Sequence, residues 1–329
     1  MRRRNFLAAA VAAAVWPQVV LAQQSDRTNT VGVLLLLSET YPEHRSWFAA
    51  FQEELLRRAS IAGRELKIVQ RWCNSDVGKV RTFATELVAM KPDVLFAVAT
   101  PVVAALHTET QSIPIVFVGV SDPVGAKFVA SFSRPAGNIT GFVQNEQRLG
   151  GKWLALLKEI APEIKQAAIM FNPDTAPGHG EYFLGSFRTT AESLGVEPRS
   201  APVHNDDDIR STVERLGIDR GGLVLMDDGF MGANYRTVIA AAARANVPTI
   251  AGVSAVPAEG GLMAYHSDMP TLFRNAASYV DRILRGEAPA DLPVQTPIKY
   301  QLIINLKIAS ALRLAVPPML LAAADEVIE

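Results

Sequence analysis

The sequence predicts an α/β fold made of two Rossmann-like lobes with parallel sheets, joined by a multi-strand hinge. Three observations carry this. Short apolar runs alternate with longer amphipathic stretches from residue 31 onward, the rhythm of β-α units. The rhythm restarts midway, with matching phrases separated by roughly 130 residues. The chain left after Gly261 is too short to bury a core of its own, so it must return to the lobes already built.

The elements follow in order. Val31–Leu37 is an unbroken apolar run, as expected of a strand covered on both faces. Trp47, Phe48, Phe51, Leu55 and Leu56 recur at helical spacing. Leu66–Val69 predicts a second strand, Val80–Met90 a helix, Val94–Val98 a third strand, Pro101–Thr110 a helix and Ile115–Val118 a fourth strand. In the second half, a helix over Gly150–Ile160 stops at Pro162. Strand Ala167–Phe171 then leads through a helix ending at Leu194 to strand Val196–Pro202. Asp206, Asp207 and Asp208 open a helix, where carboxylates offset unpaired N–H groups and the helix dipole. Leu223–Met226, Tyr235–Ala245 and Thr249–Gly252 complete the second set. Beyond it come a strand over Leu262–Tyr265, a helix over Leu272–Leu284, a Pro-rich stretch and a strand over Gln301–Ile304. The expected division is residues 1–22 as a signal peptide, 28–145 with 263–292 as lobe I, and 146–262 with 293–329 as lobe II.

The leader reading rests on Arg2, Arg3 and Arg4, a short apolar run from Phe6 to Val15, and Val20-Leu21-Ala22 as a cleavage site. Arg3-Arg4-Asn5-Phe6-Leu7 also fits the twin-arginine export pattern. The run is too short to span a bilayer. A composition 49% hydrophobic and 20% charged excludes a disordered chain. The 32 basic side chains balance 33 acidic ones, and three of the basic ones sit in the leader, so no nucleic-acid partner is expected. Cys73 is the only cysteine, which rules out an internal disulfide despite export.

Ligands of open parallel sheets sit at the carboxyl ends of strands. That rule selects Ser38 and Glu39 after the first strand, Thr100 and Pro101 after the third, and Ser121 and Asp122 after the fourth. In the second half it selects Asn172, Asp228 and the Val253-Ser254 pair. Helix starts there can hold a carboxylate, and Asp122 or Asp228 an ammonium. Tyr182, Phe183, Phe230 and Tyr265 are candidates to stack on a ligand. No catalytic motif is visible. G-x-S-x-G, H-E-x-x-H and C-x-x-C are absent, and Gly150-Gly151-Lys152 lacks both the opening glycine of a P-loop and its Ser/Thr, Trp153 standing there instead. The five histidines are scattered, so neither a metal nor a cofactor is expected, and the chain is read as a binding protein rather than an enzyme.

Several phrases together resemble ABC-transporter substrate-binding proteins of the type that includes tryptophan-binding members. They are Ile113–Phe117 with Ser121–Ala126, Asn138–Gly141, Leu154–Pro162, Phe171–Pro173, Gly260–Tyr265, Asp281–Pro293, Ile304–Lys307 and Ala324–Ile328. The resemblance implies a type I periplasmic binding protein-like fold and a periplasmic receptor. It would close on a small-molecule ligand and deliver it to an ABC permease and ATPase at the inner membrane. It further implies an amino-acid ligand, aromatic in the best-known relatives, held by Thr100, Ser121, Asp122, Asn172 and Asp228 with Tyr265 near the crossing. The chain has Asp227-Asp228-Gly229 where relatives commonly carry Thr-Asp-Asn. A sugar- or nucleoside-binding receptor of the same architecture stays open as an alternative, as does an exported α/β enzyme.

Overall fold

The structure is a computed structural model that describes residues 28–74 and 76–329. The leader expected over residues 1–22 lies outside the described residues. The first sheet holds β1 (Asn29–Leu35), β2 (Leu66–Trp72), β3 (Val94–Val98), β4 (Ile115–Val120) and β5 (Ile139–Val143). Its order is β2-β1-β3-β4-β5, and every pairing is parallel. Between the strands run α1 (Pro42–Ile61), α2 (Val77–Ala89) and α3 (Thr100–Glu109). β3 is buried at every position, which is why its sequence is continuously apolar instead of alternating.

The chain then crosses over to α4 (Leu149–Ile160), β6 (Gln166–Phe171), α5 (Glu181–Leu194), β7 (Glu197–Pro202), α6 (Asp206–Ile218) and β8 (Gly222–Leu225). There follow α7 (Gly229–Ala245), β9 (Thr249–Ala251), β10 (Met263–Ser267), α8 (Met269–Leu284) and β11 (Tyr300–Asn305). The chain ends in α9 (Leu306–Ala311), α10 (Pro318–Ala322) and β12 (Glu326–Ile328). The second sheet has the order β12-β11-β10-β9-β8-β6-β7. Its β7-β6-β8-β9-β10 portion repeats the order of the first sheet, which gives the offset between sequence halves a topological counterpart.

Helices sandwich each sheet. Phe51 of α1 and Phe273 of α8 pack with Phe96 on one face of the first sheet, the Phe51 and Phe96 rings stacked at 4.0 Å. Residues of α2 and α3 cover the other face, and Cys73 is buried among them. In the second half α4 and α5 pack on one face around Trp153, and α6 and α7 on the other. The lobes therefore exchange helices: α4 follows a first-sheet strand but packs on the second sheet, and α8 does the reverse. Gly150 and Gly151 let α4 approach α5, because a Cβ at either would collide with Phe183, Ser186 or Thr190. That contact, not phosphate binding, is what the glycine pair serves.

Three segments cross between the sheets, near Gln144–Arg148, Ser267–Asp268 and Pro297–Lys299. The last two are tied together: Asp268 N–H donates to the Lys299 carbonyl at 3.1 Å, and the Lys299 ammonium lies 3.1 Å from the Asp268 carboxylate. These positions correct the expected division at both ends of α8. Residues 263–267 were expected with lobe I, yet β10 pairs with β9 and β11 in the second sheet. Val294 and Gln295 were expected with lobe II. Instead Gln295 joins β5, accepting from Val143 N–H at 2.9 Å and donating to the Gly141 carbonyl at 3.0 Å. The physical reason is the same in both cases: free edges of the two sheets capture the extended chain before and after the helix. β11 runs antiparallel to β10, the one departure from parallel pairing among the described ladders.

Candidate functional site

In each sheet the order reverses between two strands, leaving a crevice at their carboxyl ends: β1 and β3 in the first, β6 and β8 in the second. The crevices and the first crossing define a cleft between the lobes.

On the first lobe, Ser38 is buried and bound locally. Its hydroxyl lies 2.7 Å from the Thr40 hydroxyl, and its N–H donates to His44 Nδ1 at 3.1 Å. Burial lowers the His44 pKa, keeping the ring neutral. Glu39 is exposed, with its N–H on Asn74 Oδ1 at 2.9 Å. Thr100 and Pro101 are exposed at the start of α3, whose N-terminus has no side-chain cap. The residue before them, Ala99, has φ 87° and ψ 150°, a backbone region nearly restricted to glycine. Ser121 and Asp122 are partly buried, and Asp122 Oδ1 accepts from Gly125 N–H at 2.8 Å.

On the second lobe, Asn172 and Asp228 meet, but they are occupied with each other and with their loops. Asp228 caps α7. Its Oδ1 accepts from Phe230 N–H at 2.8 Å, Met231 N–H at 2.9 Å and the Thr175 hydroxyl at 2.8 Å, and its Oδ2 from Asn172 N–H at 3.1 Å. The Asn172 amide bridges the Val203 carbonyl and Asp174 N–H. A carboxylate with four acceptor contacts already made is a poor partner for a ligand ammonium.

Its neighbour is different, and the sequence reading passed it over. Asp227 sits at the carboxyl end of β8, facing the first crossing. One oxygen, Oδ2, accepts from Gln144 Nε2 and Asn145 Nδ2, both at 2.6 Å. Among the described residues no donor reaches Oδ1. Asn145, 1% exposed, also keeps its Oδ1 without a partner. Burial pushes the Asp227 carboxyl up to about 6, its two amide contacts only partly offsetting the desolvation. The available signal was the pairing of two acids: only one of two adjacent side chains can cap the following helix, so the other turns elsewhere.

Tyr182, on α5, donates its phenol to the Asn145 carbonyl at 3.1 Å and so steadies the crossing. Burial raises its pKa, and the negative charge of Asp122 on the other lobe adds to the effect. Tyr265 stacks on Tyr300 at 5.3 Å, with the Lys152 ammonium 5.8 Å above its ring. It belongs to the packing beside the crossing, not to the loop set holding Asp228. Across the cleft, the Ser254 hydroxyl on the second lobe donates to Glu43 of α1 at 2.5 Å. Two depressions lie elsewhere, one of about 90 Å³ behind the crossings and one of about 420 Å³ at the opposite end of the first sheet. Among the described residues no three His, Cys, Asp or Glu side chains are grouped to hold a metal ion.

Two sheets of like topology, exchanged helices, three crossings and polar loops facing across a cleft define a type I periplasmic binding protein, a class of two-lobed solute receptors. The model of the ABC transporter substrate binding protein family matches residues 46–328, and the chain belongs to that family. It is a family of solute-binding proteins, not enzymes. A tyrosine-binding protein from Clostridioides difficile strain R20291 is 25% identical over 281 residues, 85% of this chain and 80% of that protein. An ABC domain from Streptococcus pneumonia solved with L-Trp is 25% identical, with a TM-score of 0.80 over 92% of this chain and 100% of that one. A conserved domain protein from Vibrio cholerae O1 biovar eltor is 26% identical with a TM-score of 0.78 over the same shares. Among the described residues no helix is long and apolar enough to cross a membrane.

Proposed function

We propose that this chain is the periplasmic receptor of an ABC importer, and that it binds an amino acid with an aromatic side chain in the cleft between its lobes. The observation that carries the ligand class is Asp227. Its Oδ1, with the partnerless buried Oδ1 of Asn145 on the adjoining amide, offers acceptors and negative charge at a half-buried point, with no cationic side chain paired to it among the described residues. An α-ammonium brings three donors and one positive charge, which suits that demand. The ammonium role first expected of Asp228 passes to Asp227, and Asp228 becomes a positioning residue that holds the loop. The uncapped start of α3, with the Thr100 N–H and hydroxyl, is the place for the α-carboxylate. The names of the tyrosine-binding and L-Trp-bound relatives support an aromatic side chain.

Ligand binding across both lobes biases the hinge towards closure. The closed form is then what an inner-membrane permease and its ATPase would recognise. No turnover is proposed: His44 Nδ1 is engaged by the Ser38 backbone, not by a hydroxyl it could activate.

The test is to unfold, dialyse and refold the protein without its leader, then screen amino acids, sugars and nucleosides by thermal shift. A ligand at about 100 times its Kd adds about 2.7 kcal/mol of stability. Aromatic amino acids should raise the melting temperature. A shift with sugars or nucleosides and none with amino acids would overturn the ligand class, and chemical change of any bound solute would overturn the non-catalytic reading.

A further inference from the structure

A second acceptor without a partner among the described residues stands near the carboxyl end of β10, beside a crossing. His266, near the carboxyl end of β10, is 9% exposed. Its Nδ1 lies 3.0 Å from the Ser267 carbonyl. A carbonyl only accepts, so Nδ1 carries the proton and Nε2 presents a lone pair. That Nε2 is buried and has no partner among the described residues. Buried polar atoms are nearly always satisfied, so an orphan in a receptor's cleft marks a place for a ligand atom.

The position of His266 fits such a role. β10 follows β9, and the loop after β9 carries Ser254, which bonds Glu43 of the opposite lobe. His266 itself stands one residue before the crossing at Ser267–Asp268, and the ladders that set Ala264 level with Ala251 and Leu225 bring it to the same end of the sheet as Asp227; Glu43 is one acid within electrostatic reach. Asp268 and Asp325 are the other acids within electrostatic reach. Burial lowers the His266 pKa, so the ring stays neutral near pH 7 and acts as an acceptor. β8, which ends two residues before Asp227, and β10 lie two strands apart. At about 4.8 Å per strand their ends are about 10 Å from each other. An aromatic amino acid with a hydrogen bond at each end bridges that span.

We infer that His266 Nε2 reads the far edge of the ligand's ring, selecting aromatic amino acids that carry a donor there, an indole N–H or a phenol O–H, over phenylalanine. This rests on the reading of Asp227 as the ammonium site. A site built around a hydrogen bond discriminates strongly against the analogue lacking it, because the buried group is then left unpaired.

The experiment is calorimetric titration of the refolded protein with L-tryptophan, L-tyrosine and L-phenylalanine, repeated on His266→Phe and His266→Gln. The wild type should bind tryptophan or tyrosine at least about tenfold tighter than phenylalanine. His266→Phe should erase that preference while leaving phenylalanine binding in place, and His266→Gln, which keeps an acceptor, should retain part of it. Equal binding of all three by the wild type overturns the inference and leaves the Asp227 reading standing, as does a preference that survives in His266→Phe. Failure of all three to bind overturns both. If His266→Phe does not fold, the wild-type comparison with phenylalanine still decides.

Discussion

At the residue scale, two adjacent acids divide the work. Asp228 is satisfied by four donors, two at the start of α7 and two from the segment after β6, while one oxygen of Asp227 has no donor among the described residues. The raised Asp227 pKa gives two consequences of opposite sign. An ammonium needs the ionised carboxylate, so amino-acid affinity should be constant above about pH 7 and fall about tenfold per pH unit below about 6. For the ligand-free protein, a folded-state pKa near 6 against an ordinary value of 3.8 means that folding penalises the charge. That contribution to stability is complete below 3.8 and lost as pH rises through 6. Asp227→Asn keeps an acceptor for Gln144 and Asn145 but removes the charge. It should raise the ligand-free melting temperature at pH 8, with the difference vanishing near pH 4, while amino-acid binding falls by about 100-fold or more. Melting curves and titrations over that range check both. Asp228→Ala should instead destabilise the ligand-free protein by about 1–2 kcal/mol, read by denaturant unfolding, as expected for the loss of a helix cap.

At the element scale, the close approach of α4 to α5 and the strained entry to α3 invite separate tests. Gly150→Ala places a methyl group against the Phe183 backbone, and unfolding experiments should show a loss of about 2 kcal/mol. Ala99→Gly should have the opposite sign. Relief of a backbone conformation that alanine rarely adopts outweighs glycine's extra freedom when unfolded, giving a gain of about 1 kcal/mol. The elements themselves were largely legible: β3, α4 and β6 were expected within a residue or two of where they stand. Two shortfalls have physical causes. The start of α7 was set at Tyr235, but the Asp228 cap brings it back to Gly229. The short β12 carries too few residues for any periodicity, and only its pairing with β11 makes it a strand.

At the scale of the whole molecule, the Glu43–Ser254 hydrogen bond joins the lobes directly, away from the crossings. Removing it with Ser254→Ala should favour the open form and weaken ligand binding several-fold, as expected of about 1 kcal/mol for one hydrogen bond. Small-angle scattering of the ligand-free protein should show a larger radius of gyration for the variant. An unchanged radius would mean that the bond does not hold the lobes together.

The sequence by itself determined the α/β class, the doubled β-α rhythm and the polar loops that open the helices. Each follows from local rules, the burial of apolar runs on both faces and the chemistry of helix starts, and those rules act within a few residues. Family membership was legible in the same way, through short phrases such as Ser121–Ala126 and Gly260–Tyr265. Only the tertiary structure decided which of Asp227 and Asp228 is left free. The choice depends on Gln144, Asn145, Thr175 and Asn172, brought to one point from distant parts of the chain. It also decided that Tyr265 stacks on Tyr300, and that His266 Nε2 is left without a partner among the described residues. Hydrogen-bond satisfaction is a property of a three-dimensional neighbourhood, and spacing along a chain does not encode it.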